Sequence, residues 1–346
     1  MRILQAPVEV AGQVGLMAKG QRELGHAVDT VFPPHPFGYD IAPDYVPYWR
    51  KRSPASWVGY GKMFAVLAAK HHDVFHFHFG ASLWPGSGRG RLRYGDARLL
   101  HRLGKKVVVS FWGDDVRLPS AEARRNPYYV NAYEVSDSEN ARRAEDWARI
   151  TGGHVIVGDH SLDGILRSNF SNIHVVGQSV DTRLLEPRYP DPQTSNPRVV
   201  HAPSHKSGKG TEVVRQAVEH LHDKGLPFEY IELSGVSHRE TLAGCAEADL
   251  VVDQLRTGSH GVFAAEAMAL GKPVICYIQP ELVETYPADL PIINANPDSI
   301  EHVLERWLRS PEDRFRRGRD SRAYAERMHD YRLVAARVMD AYAQLA

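Results

Sequence analysis

The sequence predicts an α/β protein built from two parallel-sheet domains in succession. Three observations carry that expectation. Short apolar runs alternate with helical patterns in both halves, as βαβ units do. A polar, proline-rich stretch over residues 183–197 separates the two series. The length, 346 residues, suits two domains that each bury a core.

The first series opens with a strand over residues 2–6, a helix over 13–24 closed by Gly25, and a strand over 26–32. Residues 33–58, rich in proline, tyrosine and tryptophan, read as irregular, and loops of that length are usually functional. Further strands are expected at 74–79, 106–111, 154–157 and 172–176. The second series runs from a strand at 198–202 through a helix at 209–224, a strand at 229–233 and a helix at 240–246. Strands at 249–253 and 272–277 follow, and the end is helical: 299–308, a charged segment from Pro311, and 331–345. We place the domains at 1–182 and 183–327, with a cleft between them, since α/β sheets bind ligands at the carboxyl ends of their strands.

Composition narrows the function. The chain is 43% hydrophobic and 24% charged, the balance of a globular protein. Lys+Arg and Asp+Glu both number 42, so no overall field argues for nucleic acid or an anionic membrane. Two cysteines, Cys245 and Cys276, make no disulfide framework and suit a reducing compartment. The first strand begins with no apolar signal segment before it, and no apolar run approaches the ~20 residues that span a bilayer. We expect a cytoplasmic protein with no integral membrane segment and no nucleic-acid partner.

The most informative stretch is 258–275, Gly-Ser-His-Gly-Val-Phe-Ala-Ala-Glu-Ala-Met-Ala-Leu-Gly-Lys-Pro-Val-Ile. Gly261 lets a ligand approach the backbone. The amides of Val262 and Phe263 would open a helix whose N-terminus attracts phosphate or sugar oxygens. Glu266 follows one turn later, and Gly271 with Pro273 ends the helix. Local physics leaves two readings open, a nucleotide-sugar loop or an ordinary α/β helix with one glutamate.

A second loop, residues 201–211 (His-Ala-Pro-Ser-His-Lys-Ser-Gly-Lys-Gly-Thr), lies between a strand and a helix. Lys206 and Lys209 can neutralise a diphosphate, with amides near Gly210 and Thr211; a solvated lysine pair is the other reading. The P-loop spacing is absent. In the first half, Gly12 and Gln13 follow the first strand, a weak glycine signal that a tight turn also explains. His76 and His78 share one strand face, which admits a metal pair or two histidines in the core or beside the cleft. Asp115 can cap the following segment, and Asp181 reads as a turn or cap residue. Arg89, Arg91 and Arg93 form a basic loop that reads either as an acceptor-recognising element or as solvated surface.

The 258–275 string resembles the E-x7-E region of the family-4 retaining glycosyltransferases, whose pattern is Glu-Gly-Phe-Gly, four residues, then Glu-Ala-Met-Ala-x-Gly-x-Pro-Val. Gly261, Glu266, Ala267, Met268, Ala269, Gly271, Pro273 and Val274 fit it; the first glutamate does not, because Gly258 stands there. Lys209-Gly210 matches the family's Lys-Gly, and Ser204 replaces its upstream arginine, leaving His205 or Lys206 as the second cation. Residues 180–182 with Pro187 resemble the family's Gly-Val-Asp string, with Ser179 replacing its glycine. Residues 111–117 resemble His-Gly-Ser-Asp-Val-Arg, with Trp112 for histidine and Asp114 for serine.

The resemblance implies a GT-B fold, two Rossmann-like domains facing a central cleft, with the last helix (328–346) crossing back to the N-terminal domain. It implies transfer of a sugar from a nucleotide diphosphate sugar to an acceptor hydroxyl with retention of configuration. Lys209, with Lys206, and the amides of Val262 and Phe263 would stabilise the leaving diphosphate, and Glu266 would hold the ribose. Ser204, His205, Gly210, Ser259, His260 and Gly261 complete the donor set. Because Gly258 replaces the first glutamate, backbone amides, Ser259 and His260 are expected to read the sugar. Gly12, Gln13, His78, Trp112 and Asp114 form the acceptor set, and no metal or other cofactor is expected. Three alternatives stay open: a GT-B nucleotide-sugar epimerase, a metal-dependent hydrolase using His76 and His78, and a catalytically silent sugar-nucleotide binder. Sugar, base, acceptor and oligomeric state have no motif.

Overall fold

The computed structural model describes residues 1–34, 38, 39, 41–47, 54–84 and 93–345, with the backbone alone over 54–62. They gather into two compact units. Residues 1–118, 135–179 and 331–346 make the first, and 119–134 with 180–330 make the second.

In chain order the first unit runs β1 (Arg2–Ala6), α1 (Gln13–Glu23), β2 (Ala27–Thr30), α2 (Pro54–His71), β3 (Val74–His78), α3 (Gly95–Arg102) and β4 (Lys106–Phe111). The chain then lends α4 (Pro119–Arg125) to the second unit and returns through α5 (Asp137–Ile150), β5 (His154–Val157), a 3-10 turn at His160–Leu162, α6 (Asp163–Leu166) and β6 (Asn172–Val175). All pairings are parallel, in the order β2-β1-β3-β4-β5-β6. β3 shows how the sheet divides its core. Phe75 and Phe77 face one layer with Trp147, while Val74, His76 and His78 face the other. The stretch 33–58, read as irregular, becomes helical at Pro54, where proline's preset φ suits a first helical turn.

The second unit continues β7 (Arg198–His201), α7 (Lys206–Lys209), α8 (Thr211–Asp223), β8 (Glu229–Glu232), α9 (His238–Ala246), β9 (Leu250–Val252), α10 (Val262–Ala269) and β10 (Val274–Cys276). It ends with α11 (Pro280–Val283), β11 (Ile293–Asn294), α12 (Ile300–Leu308) and α13 (Pro311–Met328). The parallel order is β11-β10-β9-β7-β8. Two capping devices fix the ends that matter below. Ser237 and Glu240 form a capping box on α9. α10 ends in a Schellman turn, with Lys272 N on Ala267 O at 3.0 Å and Gly271 N on Met268 O at 2.9 Å.

The last helix, α14 (Tyr331–Ala343), belongs to the first unit. It lies so close to α1 that a Cβ on Gly20 would meet the Ala335 Cβ at 2.6 Å, so only glycine permits the approach. Tyr331 Oη donates to Glu23 at 2.6 Å, and Arg337 reaches the Val176 carbonyl. Residues 119–134, inside the span placed in the first domain from sequence, pack instead with the second unit. Asn126 donates to the Arg256 carbonyl at 2.8 Å, and Tyr128 donates to Asp298 at 2.5 Å. Among the described residues no helix is long and apolar enough to cross a membrane.

Candidate functional site

In the second unit the chain leaves β7 on one side for β8 and on the other for β9. Loops at such a switch point diverge and leave a crevice at the carboxyl ends of the two strands. The strands end at His201 and Val252, so the diverging loops are 202–210 and 253–261. They contain the donor-site residues expected from sequence, apart from the three on α10.

Lys209 ends α7. Its Nζ donates to Asp253 Oδ1 at 2.7 Å and to Gln254 Oε1 at 2.8 Å, across the two loops. An ammonium has three donors, so one remains for a ligand. Behind it His201 is locked: Nδ1 donates to the Val252 carbonyl at 2.9 Å, and Nε2 accepts from Thr211 Oγ1 at 2.9 Å. Burial pushes its pKa down, which keeps the ring neutral beneath Lys209.

The other cations expected here are differently occupied. Lys206 pairs with Glu232 at 2.9 Å, and Arg215 grips the same carboxylate with Nε at 2.8 Å and Nη2 at 2.9 Å. These contacts, Arg215 foremost, lower the Glu232 pKa to about 2. His205 caps α7 by accepting from Gly208 N, and its ring lies 5.1 Å from that of Tyr133. Ser204 is exposed, and Gly210 takes the left-handed φ of +80° that ends α7 and starts α8.

α10 begins at Val262 with Gly261 as N-cap, and its first backbone bond runs from Ala265 N to Gly261 O at 3.2 Å. Helix geometry leaves the amides of Val262 and Phe263 without intrahelical acceptors, pointing out of the helix mouth. Glu266 is 7% exposed, and its Oε1 meets His238 Nε2 at 2.7 Å. His238, at the first position of α9, is a partner that sequence reasoning missed; no spacing links the two helices. The Ser259 carbonyl accepts from the Gln254 amide, and the buried His260 ring packs at 5.2 Å on Tyr286. Gly258 has φ +86°, and a Cβ there would meet Gln279 Cγ and Nε2 at 2.4 Å.

In the first unit the switch point lies between β1 and β3, and the expected acceptor residues fare unevenly. Gln13 is fully buried and clamps Ser179, accepting from its N at 2.6 Å and donating to its O at 3.0 Å. Both ends of its amide are committed to that clamp. Gly12, at φ +79°, is the N-cap of α1. Amides that follow it are engaged as well. Glu9, unnoticed in the sequence, turns its carboxylate onto them, accepting from Val14 N at 3.2 Å and Gly15 N at 3.0 Å, and it also accepts from Val10 N at 2.8 Å. Burial pushes the Glu9 pKa up to about 7 against those bonds.

His78 and Trp112 do come together, with rings stacked at 25° and 6.4 Å apart. His78 Nε2 meets Gln5 Oε1 at 2.6 Å, and burial lowers its pKa to about 3. His76 is committed at both nitrogens, to Tyr342 Oη at 2.7 Å and Ser110 Oγ at 2.6 Å. Among the described residues no three His, Cys, Asp or Glu side chains group as a metal site. Asp114 lies 3.6 Å from Arg117. Asp115 caps backwards rather than forwards, accepting from Trp112 N at 3.1 Å and Gly113 N at 2.8 Å. Asp181 holds the turn at Arg183 N, 3.2 Å away. Arg89 and Arg91 lie outside the described residues, and Arg93 pairs with Asp146 at 3.7 Å. An open pocket lined by His160, Arg167 and His174 sits by the edge strand β6 and holds none of the expected residues.

No protein-family model matches the chain, and no curated protein matches it. Solved structures do. Sucrose-phosphate synthase from Thermosynechococcus elongatus superposes with a TM-score of 0.65 at 14% identity, covering 99% of each chain. Anabaena HepE in complex with UDP and glucose gives 0.62 at 12% identity over all of both chains. The catalytic domain of starch synthase IV from Arabidopsis thaliana, bound to ADP and acarbose, gives 0.60 at 13% identity over 99% of each. The fold is GT-B. The two parallel sheets, of six and five strands, are the two halves of that GT-B architecture.

Proposed function

We propose that the chain transfers a sugar from a nucleoside diphosphate sugar to an acceptor hydroxyl, with retention at the anomeric carbon. One observation carries the reading: a lysine with a spare N–H stands at the switch point of the second unit, where the loop 253–261 runs into the helix mouth of α10, the helix that carries the buried Glu266. That set matches a nucleotide sugar part by part. Lys209 and the amides of Val262 and Phe263 take the diphosphate. Glu266 takes the ribose hydroxyls and exchanges His238 for them. The GT-B neighbours in complex with UDP, UDP-glucose or ADP support the same ligand class.

In the transfer, the bond from the anomeric carbon to the phosphate oxygen breaks and the acceptor oxygen bonds to that carbon. The acceptor proton passes to the leaving phosphate, so no side-chain base is assigned. Negative charge grows on the diphosphate, where Lys209 and the α10 amides stabilise it most. The acceptor set reduces to His78, Trp112 and Asp114 in the first unit, since Gln13 and the amides after Gly12 are engaged. No divalent metal takes part.

A thermal-shift screen of UDP, ADP, GDP and their glucose and mannose conjugates tests the reading. A ligand at a hundred times its Kd should stabilise by about 2.7 kcal/mol. NMR of the product made with the hit then reports the anomer. Inversion would refute the proposed stereochemistry, epimerised donor without acceptor would favour the epimerase, and no stabilisation by any of the nine would refute nucleotide binding.

A further inference from the structure

We propose that Gln279, oriented by Glu122, accepts a hydrogen bond from a hydroxyl of the donor sugar and thereby helps select it; this rests on the nucleotide-sugar reading above. The starting point is Gly258. Its φ of +86° disfavours any side chain, and the space a Cβ would enter is already filled by Gln279, with Cγ and Nε2 at 2.4 Å and Cδ at 2.8 Å. A side chain at position 258 would therefore have to displace that of Gln279. The two backbones are tied as well, Gln279 N donating to Gly258 O at 2.9 Å.

The amide's orientation is decided by its neighbour. Gln279 Nε2 lies 3.2 Å from Glu122 Oε1. Glu122 is fully buried on α4, and Arg125 grips its carboxylate with Nε at 2.7 Å and Nη2 at 3.0 Å. A carboxylate held in this way accepts, so the NH2 end of the amide must face it. The carbonyl end, Oε1, then faces away. It is buried and has no donor, in a residue 1% exposed.

Asp253 Oδ2, at the end of the adjacent strand β9, is also buried and without a donor. Buried polar atoms without partners are costly and uncommon, and two at one sheet edge call for a ligand that completes them. Both are acceptors, which decides the ligand's chemistry. A diphosphate brings further acceptors and satisfies neither, whereas a sugar ring brings hydroxyl donors. The cationic and amide groups of the site thus suit the diphosphate, and the two unmet oxygens suit the hexose. Gln279 is the better-placed reader, because Asp253 already spends its other oxygen on Lys209.

The test measures affinity for the bare nucleoside diphosphate and for its sugar conjugate, using whichever pair among UDP/UDP-glucose, ADP/ADP-glucose and GDP/GDP-mannose binds the wild-type chain best. Gln279→Met keeps the side chain's length and removes Oε1. Its expected effect is at least a tenfold loss for the sugar conjugate, with the diphosphate unchanged within twofold. Glu122→Gln, which loosens the amide's orientation, should lose threefold or more in the same selective sense, and it carries the test if Gln279→Met does not fold. Equal losses for both ligands, or no loss for the conjugate, would overturn the assignment while leaving nucleotide binding intact. Failure of all three pairs to bind the wild-type chain would instead remove the nucleotide-sugar reading and this inference with it.

Discussion

Replacing Lys209 by methionine should do two things that can be separated. The ammonium is 16% exposed, and its partner Asp253 is 1% exposed at 2.7 Å. Removing the lysine strands a carboxylate in a nearly dry site, a loss of about 3–5 kcal/mol for a fully buried pair. Partial access of water to Lys209 puts the expectation at the lower end, about 3 kcal/mol. At roughly 2–4 °C per kcal/mol for a domain of this size, the melting temperature should fall by about 6–12 °C. Adding Asp253→Asn removes the stranded charge and should bring stability back to within about 1 kcal/mol of wild type. In that double variant the fold is restored but the phosphate contact is gone, so nucleoside diphosphate affinity should still be weaker by about 1.5–3 kcal/mol, tenfold or more. Asp253→Asn alone leaves Lys209 without its counter-charge and should tighten diphosphate binding. Calorimetric melting and titration of the three variants close the cycle. Melting of Lys209→Met within a degree of wild type would show that solvent screens the pair. A double variant that binds the diphosphate like wild type would show that Lys209 is not its ligand.

Glu266→Ala should weaken nucleoside diphosphate binding tenfold or more, from the loss of a charged hydrogen bond worth about 1.5–3 kcal/mol; unchanged affinity by titration calorimetry would detach α10 from the ribose. Glu9 titrates at about 7 in the fold against an ordinary 4.5, so the folded state holds its proton more tightly than the unfolded state. Its contribution is therefore full below pH ~4.5 and lost as pH rises through ~7, on the order of 3 kcal/mol in all. The wild-type stability minus that of Glu9→Gln should fall across this window; a flat difference in denaturant titrations would place the Glu9 carboxylate outside the linkage. Sugar transfer should survive exhaustive chelation, measured with metal analysis of the purified protein. Activity abolished by chelation and restored by zinc or manganese, with stoichiometric metal, would overturn the mechanism.

The fold was legible where apolar runs are bounded by glycine and proline. Lys106–Phe111 and His154–Val157 are strands at the expected residues, since short β-branched runs such as Val107–Val109 and Val155–Val157 between glycine turn signals have few other uses. α5 was not assigned, although it buries Asn140, Ala144, Trp147 and Ile150 at helical spacing, because charged residues surround that narrow stripe. Membership of 119–134 in the second unit was illegible for a different reason. It depends on partners such as Asn126 with Arg256 and Glu122 with Gln279, more than a hundred residues apart. The loops proposed to hold the donor could be picked out because lysine, glycine and helix starts are local signals. Their electrostatics could not, because Asp253, Gln254, Glu232 and His238 announce nothing by spacing. Glu9 likewise carries no local signal, and only the fold shows that it fills the helix mouth of α1.

If Gln279 reads the sugar as proposed, a neutral amide beside Gly258 suits the charge already fixed around it better than an acidic side chain would. Lys209 is balanced by Asp253, and Lys206 shares Glu232 with Arg215, so the loops that would receive the diphosphate carry little excess positive charge. A further carboxylate there would face the leaving diphosphate. At a separation of ~6 Å and an effective dielectric of ~20, each pair of unit charges repels by about 3 kcal/mol. That penalty grows as the glycosidic bond breaks and charge collects on the diphosphate, so it would fall most heavily on the transition state. Gln279 offers an acceptor to a sugar hydroxyl without adding charge. Glu122, which fixes the amide, has its own charge matched by Arg125. On this argument the missing glutamate is compatible with turnover, because the neutral acceptor suits a site whose lysine is already half spent on Asp253.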